Sequence, residues 1–260
     1  MTTNRQFSLA LNTMVELKQD EPAPLAKPVP ATPTLNQSLL EVGALPREAL
    51  FLGIALDGLP VLLNLHDPIP GPLLVIGDAG VGKTAFLRML ASGVQQTHHP
   101  EAVRFGVITN HPEEWEGVET TVHRIGVFPV TQNHAKEFIH SLAGWAHANQ
   151  KAGQTLLLLI DDLESVAKLE PEVIQDLRWL LLRGPARRVW PVITINAERY
   201  GQVLSWIPMF RTRIFGKIAK EHIAVALGGD PLSALDQLEA GIQFTLRENG
   251  KWLKFWLPSC

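Results

Sequence analysis

Eight consecutive residues, Gly77-Asp78-Ala79-Gly80-Val81-Gly82-Lys83-Thr84, carry the spacing G-x-x-x-x-G-K-[ST]. Glycines let the backbone wrap a polyphosphate with its N–H groups turned inward. The start of a following helix already favours an anion. Lys83 supplies a cation for the β- and γ-phosphates, and the Thr84 hydroxyl suits Mg²⁺. The pattern therefore predicts a nucleoside-triphosphate site over residues 77–84.

Hydrolysis asks for more: a carboxylate that holds Mg²⁺ through water, and a group that orients or deprotonates the attacking water. The apolar run Leu156-Leu-Leu-Leu-Ile160 ends in Asp161 and Asp162, with Glu164 two residues on. Asp161 is the candidate on the metal side and Asp162 the candidate base. Aspartate is a methylene shorter than glutamate, and a misplacement of about 1 Å can cost about 10²-fold in rate. Three outcomes stay open: Asp162 acts with adjusted geometry, Glu164 takes the role, or hydrolysis is slow. The plain alternative makes these acids a helix cap. Asn196 ends the next apolar run and is placed to bond a γ-phosphate or the water, or else to cap a turn. Arg183, Arg187, Arg188, Arg211 and Arg213 lie in the distal half. In a ring, one of them would enter a neighbour's site, an effect worth about 10³–10⁵ in related chemistry.

These groups need a scaffold, and the flanking residues describe one. Pro72-Leu-Leu-Val-Ile76 reads as a buried strand ahead of the loop, and Phe86, Leu87, Leu90 and Ala91 open a helix behind it. Residues 103–109, 155–160 and 190–195 read as further strands, separated by helices over 135–148 and 171–182. Such alternation predicts right-handed βαβ crossovers on a mainly parallel sheet covered on both faces. Residues 50–57 and 60–65 read as two strands turned at Asp57-Gly58. Residues 242–247 and 251–256 read as a C-terminal β-hairpin turned at Asn249-Gly250.

With 260 residues, 46% hydrophobic and 19% charged, the chain has ordinary globular composition and length for a sizeable core. A net charge of −3 gives no overall signature for nucleic acid, although a ring can carry basic groups on a few pore loops. The single cysteine, Cys260, excludes a disulfide framework and a zinc cluster. No signal peptide pattern and no membrane-length apolar run is evident, which predicts a cytoplasmic protein without a transmembrane segment. Residues 1–35 read as a separate tail. Phe7, Leu9, Leu11, Met14, Val15 and Leu17 precede prolines 22, 24, 28, 30 and 33. The tail reads as solvated linker, or as a docking peptide for a partner protein. Residues 36–260 form the expected catalytic domain, its first strand beginning after about Leu45.

The order of these segments resembles the FtsK–HerA superfamily of ring ATPases over roughly residues 45–257. Gly53-Ile-Ala-Leu-Asp-Gly-Leu-Pro-Val-Leu-Leu-Asn-Leu65 is similar to the family lead-in G-x-x-x-x-G-x-P-V-x-x-D-L. Leu182-Arg-Gly-Pro-Ala-Arg-Arg-Val-Trp-Pro-Val-Ile-Thr-Ile-Asn196 is similar, without gaps, to R-G-R-x-x-G-I-H-L-I-L-A-T-Q. Phe210–Ile218 resembles the x-R-I-x-x-x-V strand, and residues 226–244 the closing region. The resemblance implies a RecA-like P-loop NTPase fold, ATP with Mg²⁺ as cofactors, hexameric rings with nucleotide at subunit interfaces, and double-stranded DNA in the pore. It puts Arg183 at the family's arginine, with Arg213 a second arginine for action in trans, and Asn196 at the sensor glutamine. The family's Asp-Glu is here Asp161-Asp162. No transmembrane region precedes the domain and no winged helix follows it. Two functions are consistent with this sequence: a DNA-translocating ring ATPase, and a weakly or non-hydrolysing nucleotide-binding subunit of a secretion, conjugation or mobile-element assembly. An AAA+-type loader would close with a helical lid, where this chain closes with a hairpin.

Overall fold

The computed structural model describes residues 33–116, 118, 121–149, 153–248, 250 and 251–259. The tail of residues 1–32, with its docking role, lies outside the described residues, as does Asn249 of the last turn. Residues Thr32–Cys260 make up one compact unit.

That unit is built on a ten-stranded sheet. In chain order the strands are β1 (Ala49–Ala55), β2 (Pro60–Asn64), β3 (Leu73–Gly77), β4 (Val103–Thr109), β5 (Arg124–Pro129), β6 (Thr155–Asp161), β7 (Val189–Asn196), β8 (Thr212–Phe215), β9 (Gln243–Glu248) and β10 (Lys251–Trp256). Their spatial order is β2-β1-β10-β9-β8-β3-β7-β6-β4-β5. Strands β5, β4, β6, β7, β3 and β8 run parallel, whereas β9, β10, β1 and β2 extend the sheet antiparallel. The expected α/β architecture, mainly parallel at its centre, is therefore present. The closing hairpin is not an appendage. It joins the parallel half, through β8, to the first hairpin, through β1.

The parallel strands are apolar on both sides, as βαβ crossovers require. Leu73 and Val75 of β3 point into one core with Phe86, Leu87 and Leu90. Leu74 and Ile76 point into the other with Phe138, Leu142, Leu177 and Leu180. Those partners lie on α2 (Lys83–Thr97), α3 (Asn133–Ala148) and α5 (Pro171–Arg183), so helices cover both faces. Phe86 meets Phe244 and Phe255 at centroid distances of 5.2 and 6.4 Å, which fastens the closing hairpin beneath the phosphate-loop helix.

Four elements differ from the sequence expectation. Helix α1 (Leu35–Val42) begins with a capping box, Thr34 bonding Gln37, and buries Leu35 in the α2-side core. Pro33 and Leu35 exchange backbone hydrogen bonds with Ser259, so ordered structure begins ahead of Leu45. Strand β5 was not legible, because its six residues are all half-buried at a sheet edge and show no alternation. Short elements α4 (Leu163–Val166) and α6 (Glu221–Ala226) fall below the length that periodicity detects.

Candidate functional site

The carboxyl ends of β3, β6 and β7 converge, and every central candidate lies on their tips. Between β3 and α2, Gly80 and Gly82 adopt φ of +73° and +86°, a left-handed conformation that side chains resist. A Cβ on Gly82 would also come within 2.9 Å of Gly241 Cα, so the segment leading into β9 packs on the loop. Gly241 N–H donates to Val81 O at 3.2 Å, and the Asp78 carboxylate accepts from Ala219 N–H at 2.8 Å. The loop is thus held from outside by residues that precede α6 and β9.

Lys83 folds back across the loop, its Nζ donating to Gly77 O at 3.0 Å and Asp78 O at 2.6 Å. Partial burial lowers its pKa, opposed by the nearby charges of Asp161, Glu164, Asp78 and Asp162. Thr84 Oγ1 donates to Asp161 Oδ2 at 2.6 Å. This bond joins the last residue of the loop to the tip of β6. A hydroxyl and a carboxylate held together at the mouth of a phosphate loop are the oxygen donors a hard divalent cation takes. The site therefore fits Mg²⁺.

The acids separate into distinct roles. Asp162 N-caps α4: its Oδ1 accepts from Ser165 N–H at 3.0 Å and from Ser165 Oγ at 2.7 Å. Ser165 Oγ in turn accepts from Asn110 Nδ2, at the tip of β4. The capping alternative is thus realised for the expected base, leaving Oδ2 without a hydrogen-bond partner among the described residues. Glu164 is buried at 2% exposure and its Oε1 accepts from Asn196 N–H at 2.7 Å. Its Oε2 is buried without a hydrogen-bond partner among the described residues. Burial raises the Glu164 pKa, helped by the Asp162 charge and opposed by its hydrogen bonds and by Lys83.

Asn196, in register with Gly77 across β7 and β3, has its side-chain Oδ1 accepting from Glu198 N–H at 3.1 Å. Here too the turn-capping role is the one displayed. Arg183 is exposed in the last turn of α5, which runs back from the strand tips, so it lies at the opposite end of the sheet from the loop. Arg213, the second arginine expected to act in trans, is bonded within its own chain. Its Nη1 donates to Leu227 O at 2.8 Å and its Nη2 to Ile207 O at 3.3 Å. Desolvation lowers its pKa, as expected of a guanidinium drawn into its own chain. One central residue was missed in the sequence: Thr194, fully buried, donates from Oγ1 to Asp161 Oδ1 at 2.6 Å.

A phosphate loop between a buried parallel strand and a helix, tied to an acid at the tip of β6, gives this chain the architecture of a P-loop NTPase. Comparison with known proteins agrees. The family model described as an AAA domain matches residues 70–193. ESX secretion system protein EccC of Thermomonospora curvata is 27% identical over 177 residues, covering 60% of this chain and 13% of that protein. The solved Thermomonospora curvata EccC fragment (ATPases 2 and 3, with a signal sequence peptide) superposes with a TM-score of 0.71. It is 19% identical, over 97% of this chain and 47% of that one. The pCW3 conjugation coupling protein TcpA, in its monomer form with ATPγS, gives a TM-score of 0.68 at 13% identity. That match covers 89% of this chain and 71% of TcpA. The chain thus spans a small part of the full-length EccC and about half of the solved fragment. Among the described residues no helix is long and apolar enough to cross a membrane.

Proposed function

We propose that this chain binds ATP with Mg²⁺ at Gly77–Thr84 and is a slowly hydrolysing, FtsK–HerA-type ATPase unit of a protein-secretion assembly in the cytoplasm. The observation that carries the reading is the Thr84–Asp161 bond, which brings the two expected metal-side residues together at the mouth of the loop. Residues 78–84 wrap the phosphates with backbone N–H groups, and Lys83 exchanges its two carbonyl partners for phosphate oxygens. Thr84 and Asp161 would hold Mg²⁺, which would supply charge neutralisation at the terminal phosphates. Asp162 accepts a proton from the attacking water through Oδ2 while its other oxygen keeps the α4 cap. Its short side chain and that commitment support slow turnover. Asn196 stands at the sensor position, and exposed Arg183 is the arginine that would reach a neighbour in a hexameric ring.

The secretion role is favoured over a DNA role because the sequence relative is a secretion ATPase. A second reading, a ring that translocates double-stranded DNA, is favoured by the likeness of fold to a conjugation coupling protein. ATPase rates with and without double-stranded DNA, alongside mass measurement of the ATP-bound form, separate the two. DNA-stimulated turnover by a ring supports translocation, and turnover indifferent to DNA supports the secretion unit. Lys83→Ala should abolish tight ATP binding, measured by titration with a fluorescent ATP analogue. Undiminished affinity in that variant would remove the foundation of both readings.

A further inference from the structure

The phosphate loop reaches Asp161 through one carboxylate oxygen only; the other is occupied from the opposite side. Thr194 Oγ1 donates to Asp161 Oδ1 at 2.6 Å, while Thr84 Oγ1 donates to Oδ2 at 2.6 Å. Strands β6 and β7 are parallel neighbours with Ile160 opposite Ile193, so the next residues, Asp161 and Thr194, stand side by side. Side chains alternate along a strand. Leu157 and Leu159 belong to the α2-side core, as do Trp190 and Val192, so Asp161 and Thr194 continue those rows on the α2 face. Thr194 is wholly buried at the end of that apolar row, where a hydroxyl without a partner would carry a desolvation cost. Its position is explained by the carboxylate it addresses.

We infer that Thr194 is a positioning residue for the metal site: it pins Asp161 by Oδ1 so that Oδ2 stays aimed at Thr84 and at Mg²⁺. The inference rests on the proposed nucleotide site. Without the Thr194 hydroxyl, Asp161 is free to rotate about its side-chain bonds, and the ordering of its carboxylate must be supplied by metal binding itself. Groups that orient a metal ligand from behind typically influence metal affinity by about 10–100-fold.

The test measures how much Mg²⁺ is needed to support binding of a fluorescent ATP analogue. It compares the intact chain with Thr194→Val, which keeps the shape and removes the hydroxyl, and Thr194→Ser, which keeps the hydroxyl. The Mg²⁺ concentration at half-maximal binding should rise about tenfold or more in Thr194→Val and return to within about threefold in Thr194→Ser. Nucleotide affinity in excess chelator should remain within about twofold throughout. In an Asp161→Asn background, Thr194→Val should add little, since residues acting through one another are not additive. An unchanged Mg²⁺ midpoint in Thr194→Val overturns the inference. An equal rise in Val and Ser variants does so as well, because it traces the effect to packing. Thr194→Ala, read in the same titration, decides the matter if the valine variant does not fold. A wild-type chain that binds no nucleotide with or without Mg²⁺ fails the proposed function itself, which sets that failure apart from the other two.

Discussion

Glu164→Gln should make the protein more stable at pH 8 and leave it unchanged at pH 4. Glu164 has one oxygen bonded to Asn196 N–H and one buried with no partner among the described residues, so its charge is held at a cost. Burial raises its pKa above the ordinary glutamate value of 4.5. An unfolded chain releases this proton near the ordinary value, whereas the folded chain retains it to higher pH. Between the two pKa values the folded state binds more protons, so this group's contribution to stability falls as pH rises through that window. Above the window the charged carboxylate stays a liability. Below the ordinary value both states are protonated and the penalty vanishes. Glutamine keeps an oxygen for Asn196 N–H, trading a charge-assisted bond for a neutral one at a loss of about 1 kcal/mol. It exchanges the buried, unpaired charged oxygen for a neutral amide nitrogen, which costs less to leave unpaired by about 2–3 kcal/mol. The net expectation is a gain of about 1–2 kcal/mol at pH 8, or about 2–8 °C in Tm for a domain of this size. Thermal unfolding of both proteins from pH 4 to pH 8 reads the difference directly. A lower Tm for Glu164→Gln at pH 8, or a difference that does not change with pH, would refute the reasoning.

The other outcomes concern the same strand tips and the distal arginines. Asp162→Asn keeps a good helix cap for α4 and should preserve ATP affinity while stopping phosphate release; Asp162→Ala should also cost about 1 kcal/mol, seen in urea unfolding. Persistent turnover in Asp162→Asn, with loss in Glu164→Gln, would transfer the base to Glu164. Arg213→Ala leaves two carbonyls without their donor and should destabilise the fold by about 2–3 kcal/mol. Arg183→Ala should leave stability and ATP affinity nearly intact while lowering turnover. Mixing it with Lys83→Ala subunits should recover part of that activity, and assembled mixtures that stay inactive would exclude a role in trans.

How much of this was legible depends on the range over which each signal acts. Strands β3, β6 and β7 were readable because each is a largely apolar run, closed by a glycine, an acid or an amide, and buried on both sides. The phosphate loop was readable because its chemistry is contiguous. Strand β5 was not, since an edge strand paired on one side only is half-buried throughout and lacks the run that betrays a central one. The tie between Leu35 and Ser259 joins residues more than 200 positions apart, and no local spacing reports it. Arg213 fitted the motif for an arginine acting in trans, yet what occupies a guanidinium is decided by carbonyls of loops that only the fold brings near. Asp162 and Asn196 suit both chemistry and capping by residue type, and the structure displays the capping bonds for both, because the first turn after a strand has N–H groups that need an acceptor. Thr194 is the instructive omission. The family pattern has alanine at that position, so resemblance gives no warning of a hydroxyl there. The sequence nonetheless holds a signal. A threonine in an otherwise apolar run, two residues before the strand's polar tip, must place its hydroxyl on a buried face. Counting by twos from Trp190 gives the same face that counting by twos from Leu157 gives for Asp161. Two polar side chains on one buried face of adjacent strands, each ending its row, are obliged to find one another.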